Sequence, residues 1–260
     1  KTTDGGVHWA ERLFPAGCSS QANIWVSPSE PERIQVGGSS WTASGGGAAL
    51  LKSSDGGRTW TVKTFSSAYS GICYRMAVDP SNPDVVYAGA SFYISTGGAV
   101  DYDFYKTTDG GAAWRVIHGG LAPIAIAVDP RNPLRVFASG GSGAGGGMMW
   151  SLDGGQTWTR TSEATGQSIV FDPLQPDTVY AGFGSTFYKT SDGGGSWTRS
   201  TGVSDGFCTS ILILASRILF ASSSGVQASS DGGAAWTASD SGMNGRNVFA
   251  FAVSPSIPAA

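Results

Sequence analysis

Apolar and polar residues alternate along this chain in short runs, and no stretch keeps a helical period. Three runs end alike: Met76-Ala77-Val78, Ile126-Ala127-Val128 and Ile169-Val170-Phe171 each lead into Asp-Pro-x-x-Pro, at Asp79-Pro80…Pro83, Asp129-Pro130…Pro133 and Asp172-Pro173…Pro176. Ser27-Pro28…Pro31 and Ser254-Pro255…Pro258 are variants. Proline cannot donate to a strand ladder, so it ends the run and sets a turn. A second β run follows, such as Val85-Val86-Tyr87-Ala88-Gly89 or Thr178-Val179-Tyr180-Ala181-Gly182. The pattern predicts antiparallel strands and an all-β chain.

A Ser/Thr-x-Asp-Gly-Gly-x-x-Trp box lies downstream of four of these turns, those at Ser27, Asp79, Asp129 and Asp172. Six occur, with their acid and tryptophan at Asp4 and Trp9, Asp55 and Trp60, Asp109 and Trp114, Asp153 and Trp158, Asp192 and Trp197, and Asp231 and Trp236. Successive box aspartates are 51, 54, 44, 39 and 39 residues apart. Such a period is the length of one four-stranded propeller blade. In each blade, strand A is the apolar inner strand and the Pro-x-x-Pro turn leads to strand B. Strand C ends at the box, the box makes the C–D hairpin, and strand D begins at the Trp. The blade at 207–239 keeps its box but has Leu214-Ala215-Ser216-Arg217 in place of the proline turn.

The expected architecture is therefore one β-propeller domain over residues 1–260, with four-stranded antiparallel blades. The expected count is six, or seven if the chain is incomplete. The closing blade would be shared between a strand D at His8–Leu13 and a strand A at Asn247–Val253, removing exposed sheet edges. The chain opens in mid-repeat, at Lys1, which suggests a trimmed product or a piece of a longer protein.

The box residues suit a turn staple. Gly-Gly supplies positive φ, Asp accepts from N–H groups of its own turn, and the Ser/Thr hydroxyl adds a further bond. Trp covers the hairpin. Six carboxylates on six blades cannot converge on one metal or substrate, so the boxes are not candidate chemistry.

Composition narrows the rest. Net charge is −3, only 13% of residues are charged, and no Lys/Arg cluster exists, which argues against nucleic acid. No apolar run reaches the roughly 18 residues of a membrane span. Cys18, Cys73 and Cys208 are too scattered for a disulfide framework. They read as buried free thiols on inner strands, with a Cys18–Cys73 bridge as the alternative in an exported chain. His8 and His118 lie on different blades, and no zinc or copper site is indicated. No cofactor is expected.

Loop length locates a candidate site. Strand direction puts the proline turns and boxes on one face (lower) and the B–C and D–A loops on the other (upper). From the residue before the first proline to the box Asp the chain runs 28, 30, 24 and 20 residues in the first four full blades. The excess falls in the B–C loops, where function concentrates. The longest is read over 92–104. It contains Tyr93, Asp101, Tyr102, Asp103 and Phe104; Trp41 belongs to the neighbouring loop, and Tyr69 to the D–A loop between those blades. Exposed aromatics beside carboxylates suit sugar stacking or a protein hot spot; the alternative is that they pack down their own loops. Asp101 and Asp103 lie on one side of an extended segment, a poor arrangement for a glycosidase pair. One of them could face Glu163 or Asp205 of another blade, and a Ca²⁺ held by Asp101, Asp103 and loop carbonyls is the metal that such ligands would admit.

With these residues in view, the chain resembles the BNR/Asp-box repeat proteins: sialidases, sortilin-type ectodomains, family 74 xyloglucanases and photosystem II assembly factors. Asp79–Gly89 is most similar to the xyloglucanase and sortilin branches. The resemblance implies a propeller over nearly the whole chain and an extracellular, periplasmic or cell-surface location. It does not choose an activity. A sialidase implies an Arg-Ile-Pro strand, which is absent, and Arg75, Tyr69 and Glu163 form no matching pattern. A xyloglucanase implies two propellers with a catalytic Asp from each. An assembly factor implies an arginine patch, and the eleven arginines here are dispersed. The reading is a non-catalytic exported propeller that binds a protein or glycan through its upper loops, with a xyloglucanase-like glycoside hydrolase, or one propeller of it, as the alternative.

Overall fold

The computed structural model describes residues 1–2, 4, 6–42, 45–65, 70–93, 100–121, 123–140, 147–161, 166–200, 202–203, 206–243 and 247–251. These form two compact units, Lys1–Ala122 and Pro123–Ala260. The fold is all-β and of propeller type, built from five antiparallel four-stranded sheets whose strands pair in chain order.

The first unit holds two sheets. One comprises β1 (Cys18–Val26), β2 (Ile34–Thr42), β3 (Gly45–Ser53) and β4 (Thr61–Thr64); the other comprises β5 (Ser70–Val78), β6 (Val86–Tyr93), β7 (Val100–Thr107) and β8 (Arg115–Gly119). They share a core of Ala48 and Leu50 against Cys73, Met76, Val78, Val86, Ala88, Ala90 and Phe92. The second unit holds three sheets: β9 (Pro123–Val128) to β12 (Thr159–Thr161) through β10 (Val136–Gly140) and β11 (Gly147–Ser151); β13 (Ser168–Phe171), β14 (Val179–Phe183), β15 (Thr186–Thr190) and β16 (Thr198–Ser200); and β17 (Cys208–Ile213), β18 (Ile218–Ser222), β19 (Gly225–Ser229) and β20 (Thr237–Ala238). Phe137 is fully buried between its own sheet and Phe171 of the next.

The turns form as their residues dictate. Asp79 Oδ1 accepts the N–H groups of Ser81 and Asn82, and Asp172 Oδ1 those of Leu174 and Gln175. The first box glycine then donates to the residue two before strand B, as Gly110 N–H does to Asp84 O and Gly193 N–H to Asp177 O, both at 2.9 Å. The proline turn and the box of a sheet therefore lie at the same end.

Every box has one hydrogen-bond pattern. The Ser/Thr hydroxyl donates to Asp Oδ1 at 2.7–2.8 Å and accepts from the second glycine N–H at 2.7–3.0 Å. Asp Oδ1 also accepts the N–H four residues on, at 2.9–3.0 Å. These bonds hold the carboxylates below the ordinary range. At Asp4 the His8 N–H is the main cause, and the group is pushed down to about 2. At Asp55, Asp153 and Asp192 the main cause is a hydroxyl, from Thr59, Thr157 and Ser196.

Two expectations change. Strand D starts one residue after the Trp, and the Trp reaches beyond its hairpin: Trp114 stacks on Phe65, just past β4, at 3.8 Å, while Trp197 meets Phe137 at 6.1 Å and Trp236 meets Phe187 at 4.9 Å, both aromatics of the preceding sheet. Residues 8–13 and 247–251, read as halves of a closing blade, carry no strand. Val248 instead hydrogen-bonds the fifth sheet at Ser222 and Thr209. All three cysteines are unbridged, on the first strands of their sheets, and burial pushes the Cys73 and Cys208 thiols up to about 12.

Candidate functional site

The stretch 92–104 is largely hairpin rather than loop. β6 and β7 run on in register from Gly89↔Phe104 through Ala90↔Asp103, Ser91↔Tyr102 and Phe92↔Asp101 to Tyr93↔Val100. The alternation of Asp101, Tyr102, Asp103 and Phe104, read as loop chemistry, is the period-2 signature of a long strand. Its two faces part the candidates. Phe104 is fully buried, 6.3 Å from the Tyr87 ring, and is a core residue rather than a ligand contact. Tyr102, on the same face but two residues nearer the hairpin tip, is 42% exposed.

The carboxylates are bound to their own sheet. Asp103 Oδ2 accepts the Tyr105 hydroxyl at 3.1 Å and Oδ1 accepts Gly120 N–H at 3.3 Å. Asp101 is exposed, and its Oδ1 accepts Tyr102 N–H at 3.0 Å. Tyr105 packs against Phe65 and Phe92, and burial raises its phenol above the ordinary value. Pattern reading also missed Tyr74, which stands at a bulge of β5. Its hydroxyl is buried with no hydrogen-bond partner among the described residues, and burial drives its pKa up.

Trp41, next to last in β2, pairs with Gly46 of β3. A Cβ on Gly46 would stand 2.6 Å from Trp41 Cε3 and 2.9 Å from Cδ2, so the indole lies across the glycine and needs its bare backbone. The Trp41 N–H donates to Gly17 O at 2.7 Å, and Nε1–H donates to Ser39 Oγ at 3.2 Å. The backbone and the polar edge of the ring are thus each held by a hydrogen bond, and the residue remains 50% exposed. No hydrogen bond or ring contact joins Trp41 to Asp101, Tyr102 or Asp103 among the described residues. Tyr69, Glu163 and Asp205 lie outside the described residues, as does the side chain of Tyr93. No group of three His, Cys, Asp or Glu able to hold a metal occurs among the described residues. No helix among them is long and apolar enough to cross a membrane.

An exposed aromatic in the second unit also escaped the sequence reading. Phe207 is 69% exposed, yet its backbone is pinned: its N–H donates to Ser223 Oγ, and its carbonyl accepts from Ser223 N–H. It lies just before β17, outside any long loop, so loop length gave no signal for it.

Comparison with known proteins agrees on fold. No family model matches the chain. It is 29% identical over 133 residues to a xyloglucanase of Hypocrea jecorina (strain QM6a), a match covering 49% of this chain and 14% of that protein. Among solved structures, the GH74 xyloglucanase of Xanthomonas campestris superposes with a TM-score of 0.62 at 15% identity, over 85% of this chain and 38% of the enzyme. YCF48 bound to D1 peptide superposes with a TM-score of 0.61 at 15% identity, over 95% of this chain and 76% of that one. The chain thus spans well under half the length of the two xyloglucanases.

Proposed function

We propose that the chain is a non-catalytic, exported binding propeller that takes a neutral glycan on the upper end of its first two sheets. Trp41 carries this reading. An indole fixed across Gly46, with its N–H turned inward, presents an apolar ring of known orientation, which suits stacking of a sugar ring. Tyr102 adds a second exposed aromatic, and Asp101 an exposed carboxylate for sugar hydroxyls. The engagement of Asp103 by Tyr105 and Gly120 favours binding over acid–base work, since a general acid must be free to reach the leaving oxygen.

The test is a titration with xyloglucan oligosaccharides followed by tryptophan fluorescence. Saturable binding should weaken at least ~10-fold in Trp41→Ala, the scale of losing one well-placed aromatic contact. Undiminished binding by that variant would refute the assignment.

A second reading, one propeller of a xyloglucanase-like glycoside hydrolase, is favoured by the 29% match to the Hypocrea jecorina enzyme and by the small fraction of that enzyme it spans. It predicts new reducing ends from xyloglucan, at least when the chain is joined to a second propeller.

A further inference from the structure

The lower ends of three sheets repeat a charged junction, and at the fifth sheet the cation is kept without the acid. Two residues before strand B stand Glu32, Asp84 and Asp177 in the first, second and fourth sheets; the third sheet, which opens the other unit, has Leu134 there, and the fifth has Ser216. Each acid meets a cation from the segment before it. Lys1 Nζ lies 2.7 Å from Glu32, Lys52 Nζ 3.2 Å from Asp84 beside Arg33 at 2.8 Å, and Arg135 Nη1 2.9 Å from Asp177. The pair then sits against the first box glycine. A Cβ on Gly110 would meet Lys52 Nζ at 2.5 Å and Asp84 Oδ1 at 2.8 Å; one on Gly193 would meet Arg135 Nη1 at 3.4 Å and Asp177 Oδ1 at 3.8 Å.

At the fifth sheet the cation is present and the acid is not. Lys189, at the position of Lys52 but in the fourth sheet, brings Nζ to 3.1 Å from a Cβ built on Gly232, and apart from Gly232 and its chain neighbours no other heavy atom of the described residues comes within 4 Å of that point. Lys189 has no carboxylate partner among the described residues; its ammonium lies 5.8 Å from the Tyr180 ring. Gly232 N–H donates to no acceptor among the described residues, whereas Gly56, Gly110, Gly154 and Gly193 donate to the backbone carbonyls of Glu32, Asp84, Leu134 and Asp177 at 2.8–2.9 Å. The shortened turn Leu214–Arg217 leaves a cavity of about 180 Å³ bordered by Tyr180, Ser216, Arg217, Ser230 and Gly232. Asp172 also borders it, but its oxygens are taken up by two backbone N–H groups and the Tyr180 hydroxyl.

We propose that the junction of Lys189 and Gly232, at the edge of this cavity, binds a carboxylate supplied from outside the chain, held by Lys189 and the Gly232 N–H, with Arg217 on the cavity side of Gly232. It occupies the place that Glu32, Asp84 and Asp177 fill in the other junctions. An acidic side chain of a partner and a free small carboxylic acid share this chemistry. Since the internal acids Asp84 and Asp177 each follow a proline, the peptide form is mimicked by N-acetyl-Pro-Asp-amide.

The experiment is a thermal melt of the whole chain in sodium acetate, in the dipeptide, and in sodium chloride of equal ionic strength. Acetate or dipeptide should raise Tm by about 2 °C or more over chloride. A lower effective concentration for the dipeptide identifies a partner side chain; a lower one for acetate identifies a free acid. Ser216→Asp places a carboxylate at this junction from an exposed position. It should raise Tm in chloride and abolish the response to both ligands, and Lys189→Gln should abolish the response without the rise. Equal melts in all three salts, or a Ser216→Asp chain that still responds, would overturn the proposal.

Discussion

Single residues set how well each box holds. Thr59, Thr157 and Ser196 each give a hydroxyl to the second oxygen of their box Asp at 2.6 Å, whereas Ala113 and Ala235 occupy the same position in their boxes without one. Ala113→Thr should therefore add a bond to Asp109 and raise Tm by roughly 1–3 °C, read by calorimetry; a fall would show that the turn cannot admit the side chain. The same carboxylates set the acid response. Each is held below its ordinary value of 3.8 in the folded state, Asp4 at about 2. Such groups stabilise the fold fully above the unfolded value, and the contribution is lost as pH falls through the folded one. Stability should thus decline steeply below pH ~4, and Asp153→Asn should flatten that decline, measured by urea unfolding across pH. An unchanged slope would remove the box from the acid response.

At the scale of elements, the box glycines also serve packing between sheets. Gly194 has φ +107°, and a Cβ there would press on Phe137 Cζ at 2.9 Å. Gly194→Ala should cost about 3 kcal/mol in denaturant unfolding; a loss below ~1 kcal/mol would mean that Phe137 yields. Much of this level was legible in the sequence. The proline turns and the boxes sit where their residues place them, because turn chemistry is local. The extent of β6 and β7 was not legible, since aromatics and carboxylates in alternation fit a long strand and a decorated loop equally. Burial of Phe104 and exposure of Tyr102 depend on distance from the hairpin tip, which one strand's pattern does not encode. Phe104→Ala should accordingly destabilise the chain by about 3–5 kcal/mol. Tyr102→Ala should leave stability within ~0.5 kcal/mol and weaken glycan binding, and the reverse outcome would return Phe104 to the site.

For the whole molecule, the repeat fixes a scaffold, and its exceptions mark where this chain does something of its own. The fifth sheet keeps Lys189 and Gly232 but has Ser216 where the first, second and fourth sheets carry an acid, a difference visible only once the junctions are aligned in space. Trp41 is another exception, a large ring left half exposed although both of its N–H groups are hydrogen-bonded. Sequence reading picked out Trp41 from its loop, yet the glycine under the ring and the inward N–H required the pairing of β2 with β3. The central claim is that this face holds a glycan without cleaving it. One sample tests it most directly: xyloglucan incubated with the chain, assayed for retention in affinity electrophoresis and for new reducing ends. The account predicts retardation of the native chain, little retardation of Trp41→Ala, and no increase in reducing ends. Release of reducing ends by the native chain, or equal retardation of both, would contradict it.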